Sequence, residues 1–237
     1  MSSKPIDARI FEREQHEHYV EQRWCTELLL AAEQFDGQIW DPACGYGTIP
    51  KVCKAAGFSV TATDIVDRGY GQGGQNFLAF SRKLVGPVDN IICNPPFDLA
   101  EEFIDQALRF ARKKVAMLLP LTFLSSGGRY DDFMGGWPVS RIHFLSTRPS
   151  MPPGRFLDPE TLRFCCNDPE PKISQANGEA KYRWRVGDKP AGGTKDFCWV
   201  VMTKGHEGPS QNNWLAEPGR LARSRALRRR PIMSEAA

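Results

Sequence analysis

The stretch QIWDPACGYGTIPKVCKAAGFSVTATD, residues 38–64, decides the fold. Gln38-Ile39-Trp40-Asp41 reads as a short strand, and it runs into Pro42-Ala43-Cys44-Gly45-Tyr46-Gly47, where proline and two glycines punctuate the chain. A helix is expected from Thr48 to about Ala56, with Gly57 in the place of a left-handed cap. Phe58 to Asp64 then alternates like a strand and ends in a carboxylate. Strand, glycine turn, helix and strand make a βαβ unit. Glycines at 45 and 47 let the backbone come close to a ligand, although such turns also occur where the chain merely turns. Asp64 stands 19 residues after Gly45, the spacing of a carboxylate that grips ribose hydroxyls. The third glycine of the dinucleotide fingerprint is missing, which disfavours a nicotinamide enzyme.

Downstream, the glycine-rich loop Gly69 to Gly74 leads to Asn76-Phe77-Leu78. The apolar run Val88 to Cys93 reads as a buried strand that stops at Asn94-Pro95-Pro96-Phe97. Proline cannot continue a ladder and restricts the residue before it, so this strand end is rigid. It presents one side-chain amide, stiff carbonyls and an aromatic face, a set suited to a flat molecule carrying an amino group. A plain strand-to-helix turn fits the same residues. The next helix has Asp98 as its expected cap and Glu101 at capping-box spacing. Its apolar stripe is Leu99, Phe103, Ile104, Ala107, Leu108 and Ala111, and Arg109, Arg112, Lys113 and Lys114 fall at its C-terminal end. Val115 to Leu119 is a buried strand closed by Pro120.

Upstream, Thr26 to Glu33 reads as a helix capped by Thr26 and stopped at Asp36-Gly37. Tyr19 and Trp24, just before it, could pack on the sheet or cover a ligand. Val139 to Leu145 and Phe197 to Thr203 are two more expected strands, suited to an antiparallel pair. Between them, Lys181-Tyr182-Arg183-Trp184-Arg185-Val186 alternates basic and apolar side chains, as an amphipathic edge strand or a cationic, aromatic surface beside a nucleic-acid groove. The organisation expected is an arm over 1–18, a catalytic domain over 19–204 with an irregular insertion at about 146–195, and a basic extension with little core over 205–237.

At 237 residues, 41% hydrophobic and 25% charged, the chain has the composition of one well-cored globular domain. No apolar run reaches membrane-spanning length and the polar start lacks a signal-peptide core, so no membrane partner is expected. The seven cysteines are odd in number and without repeating spacing, which reads as reduced thiols in a cytoplasmic protein. No metal site is expected, because Cys165-Cys166 lacks partners at zinc-ligand spacing. Net charge is +3, but Arg220 to Arg230 carries six arginines and no acid, either a solvated tail or a polyphosphate contact.

The motifs DPACGYG, TATD and NPPF, in this order and spacing, resemble the class I S-adenosylmethionine-dependent methyltransferases. More closely they are similar to the small phage-type enzymes that methylate N6 of adenine in DNA. The resemblance covers residues 19–147 well, the strand at 197–203 loosely and the last thirty residues hardly at all. It implies a Rossmann-like α/β fold: a mainly parallel sheet with an antiparallel last strand and helices on both faces. It also implies S-adenosylmethionine as cofactor and nucleic acid, DNA above all, as partner, and leaves oligomeric state open. Asp41, Ala43, Gly45 and Gly47 would line the methionine and ribose part of the cofactor, Asp64 would hold the ribose hydroxyls, and Ile65 would lie against adenine. Asn76, before Phe77, stands where the family often has an acid, and its amide oxygen can still accept from the adenine amine. Asn94 and Pro95 would draw the target amine towards tetrahedral geometry, Pro96 would stiffen the turn and Phe97 would stack on the base. No target-recognition domain is identifiable. The same motif also serves enzymes acting on RNA bases or a protein glutamine amide, and a non-catalytic cofactor-binding scaffold is a third reading.

Overall fold

The computed structural model describes residues 18–81, 86–125, 128, 136–174 and 178–216. The arm up to residue 17 and the run Arg220 to Arg230 lie outside the described residues. The elements in chain order are α1 (Arg23–Ala32), β1 (Ile39–Asp41), α2 (Thr48–Ala55), β2 (Val60–Ala62), β3 (Val88–Cys93), α3 (Ala100–Phe110), β4 (Ala111–Pro120), β5 (Val139–Leu145), β6 (Lys172–Ile173), β7 (Ala180–Lys181), β8 (Phe197–Thr203) and β9 (Gln211–Leu215). Seven strands form one sheet in the order β2-β1-β3-β4-β8-β5-β9. β1 to β4 run parallel, β8 is antiparallel to both β4 and β5, and β9 is parallel to β5. The expected Rossmann-like sheet is present. The reversed strand is β8, and it is followed by the parallel β9.

Period-two alternation sorts the strand side chains onto two apolar faces. Ile39, Ile92, Ala116, Leu118, Trp199 and Val201 face α1 and α2, where Cys25, Leu29, Ile49 and Cys53 cover them. Trp40, Ile91, Cys93, Val115, Met117, Leu119 and Val200 face Phe103, Ile104, Ala107 and Phe110 of α3. Helices therefore cover both faces. The strand order changes direction at β1, whose neighbours are β2 and β3, and this opens a crevice at the carboxyl ends of the strands.

Several local expectations are corrected. α1 starts at Arg23 with Gln22 as its extended N-cap, so Trp24 lies inside the helix and Thr26 is no cap. Thr26 is buried on the helix's inner face with Cys25 and Leu29, and core burial there outweighs its preference for a helix end. At α3 the stiff Pro96 leads into a 3₁₀ turn, Phe97–Leu99, and Leu99 is the N-cap in place of Asp98, without a side-chain capping bond. Arg112, Lys113 and Lys114 sit on β4, because the chain turns extended at Ala111 directly after the helix. The polar run after residue 205 contributes β9 to the sheet edge, with Trp214 71% exposed.

The segment between β5 and β8 is largely irregular. It carries the small β6-β7 hairpin and its own apolar cluster of Leu157 and Phe164 with Val20 from the chain's beginning. No edge strand spans 181–186. Only Lys181 is in β7, Arg183 pairs with Asp168, and the Trp184 ring stacks on Phe164 at 4.6 Å. The segment is tied to the N-terminal stretch by the Val20 N–H on the Pro152 carbonyl (3.1 Å) and the Gly154 N–H on the His18 carbonyl (2.9 Å).

Candidate active site

At the carboxyl ends of β1, β2 and β3 lies a cavity of about 160 Å³. Three chain segments wall it: His18 to Glu21 before α1, Pro42 to Tyr46 with Thr48 after β1, and Asn94, Pro96, Asp98 and Leu99 after β3. Asp64, Ile65, Arg68 and Asn76 close its far side. Of the residues expected to bind or react, Ala43, Gly45, Asp64, Ile65, Asn76, Phe77, Asn94 and Pro96 line this one space. Asp41, Gly47, Pro95 and Phe97 are not among the residues that line it.

The glycine turn is built as its sequence requires. Gly45 and Gly47 have φ of 51° and 80°, in the left-handed region that side chains disfavour. A Cβ on Gly45 would come within 2.7 Å of His18 Nε2, and one on Gly47 would run into the Tyr70 ring. Asp64 holds this turn from just past the end of β2, its Oδ2 accepting the Gly45 N–H (2.8 Å) and its Oδ1 the Val66 N–H (2.9 Å). Arg68 lies 3.8 Å from the same carboxylate. Asp41 is buried under the turn, where it accepts the Ala43 N–H at 3.2 Å.

Acid dominates the floor. Burial raises the Glu21 pKa despite hydrogen bonds from its own backbone, Asn94, Thr48 and Ile49. Asp41 is raised well above its ordinary value, chiefly by burial and then by the charges of Glu21 and Asp64. His18 is pushed down to about 4 by burial and the neighbouring Arg68 guanidinium, so it is neutral near pH 7. The three carboxylates are not a metal cage. Among the described residues no group of three or more His, Cys, Asp or Glu side chains is placed to hold an ion.

Asn94 carries the sharpest feature. Its Nδ2 donates to the Tyr19 carbonyl and to Glu21 Oε2, both at 2.9 Å. Its Oδ1 is buried and accepts from nothing in the protein. Beside it the Tyr19 ring lies nearly parallel to Phe97, 8° apart in plane with centroids 6.3 Å apart, and Phe197 sits 5.8 Å beyond Phe97. Ile65, 44% exposed, offers the cavity an open apolar face. Asn76 Oδ1 takes the Leu78 N–H (3.1 Å), and Phe77 is a core side chain meeting Trp40 edge to face at 5.2 Å.

Sequence reasoning missed Glu21, His18, Arg68 and Thr48. A single acid in a polar stretch has no periodic signature, and its burial follows only from the fold. Tyr19 carried a signal, an aromatic before the first helix, that allowed either role.

No protein-family model matches the chain, and no curated protein matches it. Solved structures do. A modification subunit assigned to a type I restriction enzyme of Vibrio vulnificus is 14% identical, with a TM-score of 0.48 over 81% of this chain and 45% of its own. The chain thus spans less than half the length of that subunit. A protein named as an RNA methyltransferase from Pyrococcus horikoshii is 14% identical, with a TM-score of 0.46 over 75% of this chain and 81% of its own. Magnesium protoporphyrin IX methyltransferase of Synechocystis, solved with S-adenosylmethionine bound, is 18% identical, with a TM-score of 0.39 over 52% of this chain and 70% of its own. At these identities and scores the functional reading rests on the chain's own geometry. No helix among the described residues is long and apolar enough to cross a membrane.

Proposed function

We propose that the protein is an S-adenosylmethionine-dependent methyltransferase acting on N6 of adenine in DNA. The observation that carries this reading is the buried Asn94 Oδ1, an acceptor with no partner in the protein, at the edge of an acid-floored cavity. An orphaned buried acceptor costs free energy, and a donor on the substrate removes that cost. An exocyclic amine is such a donor.

The residues present fit the cofactor. A cationic ligand suits a floor made of Glu21 and Asp64 with Asp41 behind them, since each buried carboxylate is stabilised by opposite charge. Asp64 would hold the ribose hydroxyls and Ile65 the adenine face. Asn76 keeps a free lone pair on Oδ1 for the adenine amine, because the Leu78 N–H takes only one. Gly45 and Gly47 would admit the methionine part along the turn. When bound, the cofactor supplies an electrophilic methyl group.

The chain's own part is positioning. Asn94 Oδ1 and the Pro95 carbonyl would accept the two amine hydrogens, drawing the nitrogen towards tetrahedral geometry and aiming its lone pair at the cavity. Pro95 and Pro96 hold those acceptors stiffly. Phe97, with Tyr19, gives a flat aromatic wall beside the amide, which suits a nucleobase better than an aliphatic glutamine side chain. A duplex base must leave the stack to reach it.

The test is incubation with labelled S-adenosylmethionine and separate DNA, RNA and protein pools, followed by nucleoside and amino-acid analysis. Label in N6-methyl-2′-deoxyadenosine is expected. Label confined to RNA or to glutamine would replace the substrate, and no transfer to any pool would leave the scaffold reading in its place.

A further inference from the structure

We propose that Glu21 is a positioning residue that locks the Asn94 side-chain amide with its oxygen facing the incoming amine. The purpose of the lock rests on the amine-methylation reading above. Its existence does not.

The two ends of an asparagine amide are nearly equal in size, and only their hydrogen bonds decide which end points where. An amide with its NH₂ facing a substrate amine would present donor to donor and hold nothing. In this protein the choice is forced from behind. Asn94 Nδ2 meets two acceptors, the Tyr19 carbonyl and the Glu21 carboxylate, each at 2.9 Å. Turning the amide over would lose both bonds and set its oxygen against two oxygens.

Glu21 is itself fixed. It is buried and accepts hydrogen bonds from the Thr48 hydroxyl and the Ile49 N–H, at the start of α2. A carboxylate is favoured there by the unsatisfied N–H groups and dipole of the helix end. A chain of contacts therefore runs from the α2 N-terminus through Glu21 to Asn94, linking the glycine turn after β1 to the proline turn after β3. The Tyr19 carbonyl alone would leave one Nδ2 hydrogen unpaired and the amide freer to rotate. Glu21 touches the amide and not the reacting nitrogen, so beyond the charge it offers the cofactor, which the saturating conditions below hold constant, its contribution to transfer is geometric.

The lock is read first without turnover. In ¹⁵N-labelled wild-type protein, the Asn94 side-chain NH₂ signals, identified by their loss in Asn94→Asp, should exchange slowly with solvent. Fast solvent exchange of these protons in the wild type would overturn the lock whatever the variants do. The second reading uses Glu21→Gln, whose Oε1 can still accept, and Glu21→Leu, which cannot. At saturating cofactor and DNA, Glu21→Leu should slow single-turnover transfer by about a hundredfold, the scale of a small misplacement of a reacting group. Glu21→Gln should stay within about tenfold of wild type, and the Asn94 exchange rate should rise only in Glu21→Leu. A folded Glu21→Leu protein with unchanged amide exchange and unchanged transfer rate would overturn the proposal. Slow exchange in a wild-type protein that methylates no amine would instead remove the proposed function and leave the lock in place.

Discussion

Glu33 and Glu21 are buried to a similar degree, 4% and 8% exposed, yet the protein treats them in opposite ways. Glu33, just after α1, is met by partners from the strands: the cations Lys114 (Nζ at 2.7 Å) and Arg141 (Nη1 at 3.1 Å), and the His143 ring nitrogen Nε2 at 2.9 Å. Burial alone would raise its pKa, but these partners outweigh it and hold the carboxyl at about 2. Glu21 receives hydrogen bonds from Asn94, Thr48 and backbone N–H groups, and its titratable neighbour Asp41 is another acid. Its pKa is raised. The first cluster holds its acid against opposite charge and staples α1 to β4 and β5. The second is short of positive charge on the floor of a cavity, the condition in which an acid site gains from a cationic ligand.

The comparison can be broken at its structural side with the largest effect. Glu33→Ala would strand three polar partners, the fully buried His143 among them, and should cost about 3–5 kcal/mol of stability, the scale for breaking a buried ion pair. Urea denaturation measures it, and a loss below about 1 kcal/mol would make the two acids alike. On the functional side, Asn94→Ala removes the orphaned acceptor. Single-turnover transfer should fall by at least about a hundredfold while cofactor affinity holds, as for one preorganised polar contact. Transfer at the wild-type rate would reduce Asn94 to a turn residue.

Asp64→Ala should weaken binding of S-adenosylhomocysteine by roughly 1.5–3 kcal/mol, the range for hydrogen bonds to a charged group. Calorimetric titration reads this, and an unchanged affinity in a folded variant would take the ribose role away from Asp64. The smallest effect is in protons. A cation entering the cavity favours ionised Glu21 and Asp41, whose pKa values burial raises, so binding of S-adenosylmethionine should release protons. The uncharged thioether of S-adenosylhomocysteine should release fewer. Calorimetry in buffers of different ionisation enthalpy distinguishes the two, and proton uptake would contradict the acid-floor argument. Without ligand the signs oppose each other. Stability from Glu33, lowered to about 2, is present above its ordinary value and lost as pH falls through about 2. Stability from protonated Glu21 and Asp41 is present below their ordinary values and lost as pH rises through the raised ones.

Much of this was legible before the fold was seen. Val139–Leu145 and Phe197–Thr203 are strands with the expected bounds, because continuous apolar runs between turns leave few alternatives. The helix after the glycine turn ends beside Gly57, whose φ of 93° is the expected left-handed cap. Eight of the residues named for the site meet at one cavity: Ala43, Gly45, Asp64, Ile65, Asn76, Phe77, Asn94 and Pro96. What stayed hidden was set by tertiary partners. QNNWL has no alternation to mark it as β9, and it is a strand because β5 leaves an edge for it. Thr26 carries a cap's chemistry in a position that packing claimed for the core. Glu21 gains its meaning only when Asn94, more than seventy residues later, folds against it.

The place of β8 has a consequence for the order in which the chain can be assembled. It lies between β4 and β5 and bonds to both, yet it is synthesised after them. Until residues 197–203 have left the ribosome, β4 and β5 have no partner on the edges that will become the middle of the sheet. An open inner edge on a strand as apolar as Val115 to Leu119 invites pairing with other chains. A nascent or truncated chain lacking β8 would therefore need shielding by a chaperone, and expression of fragments ending before Phe197 would yield aggregate in place of a smaller folded unit.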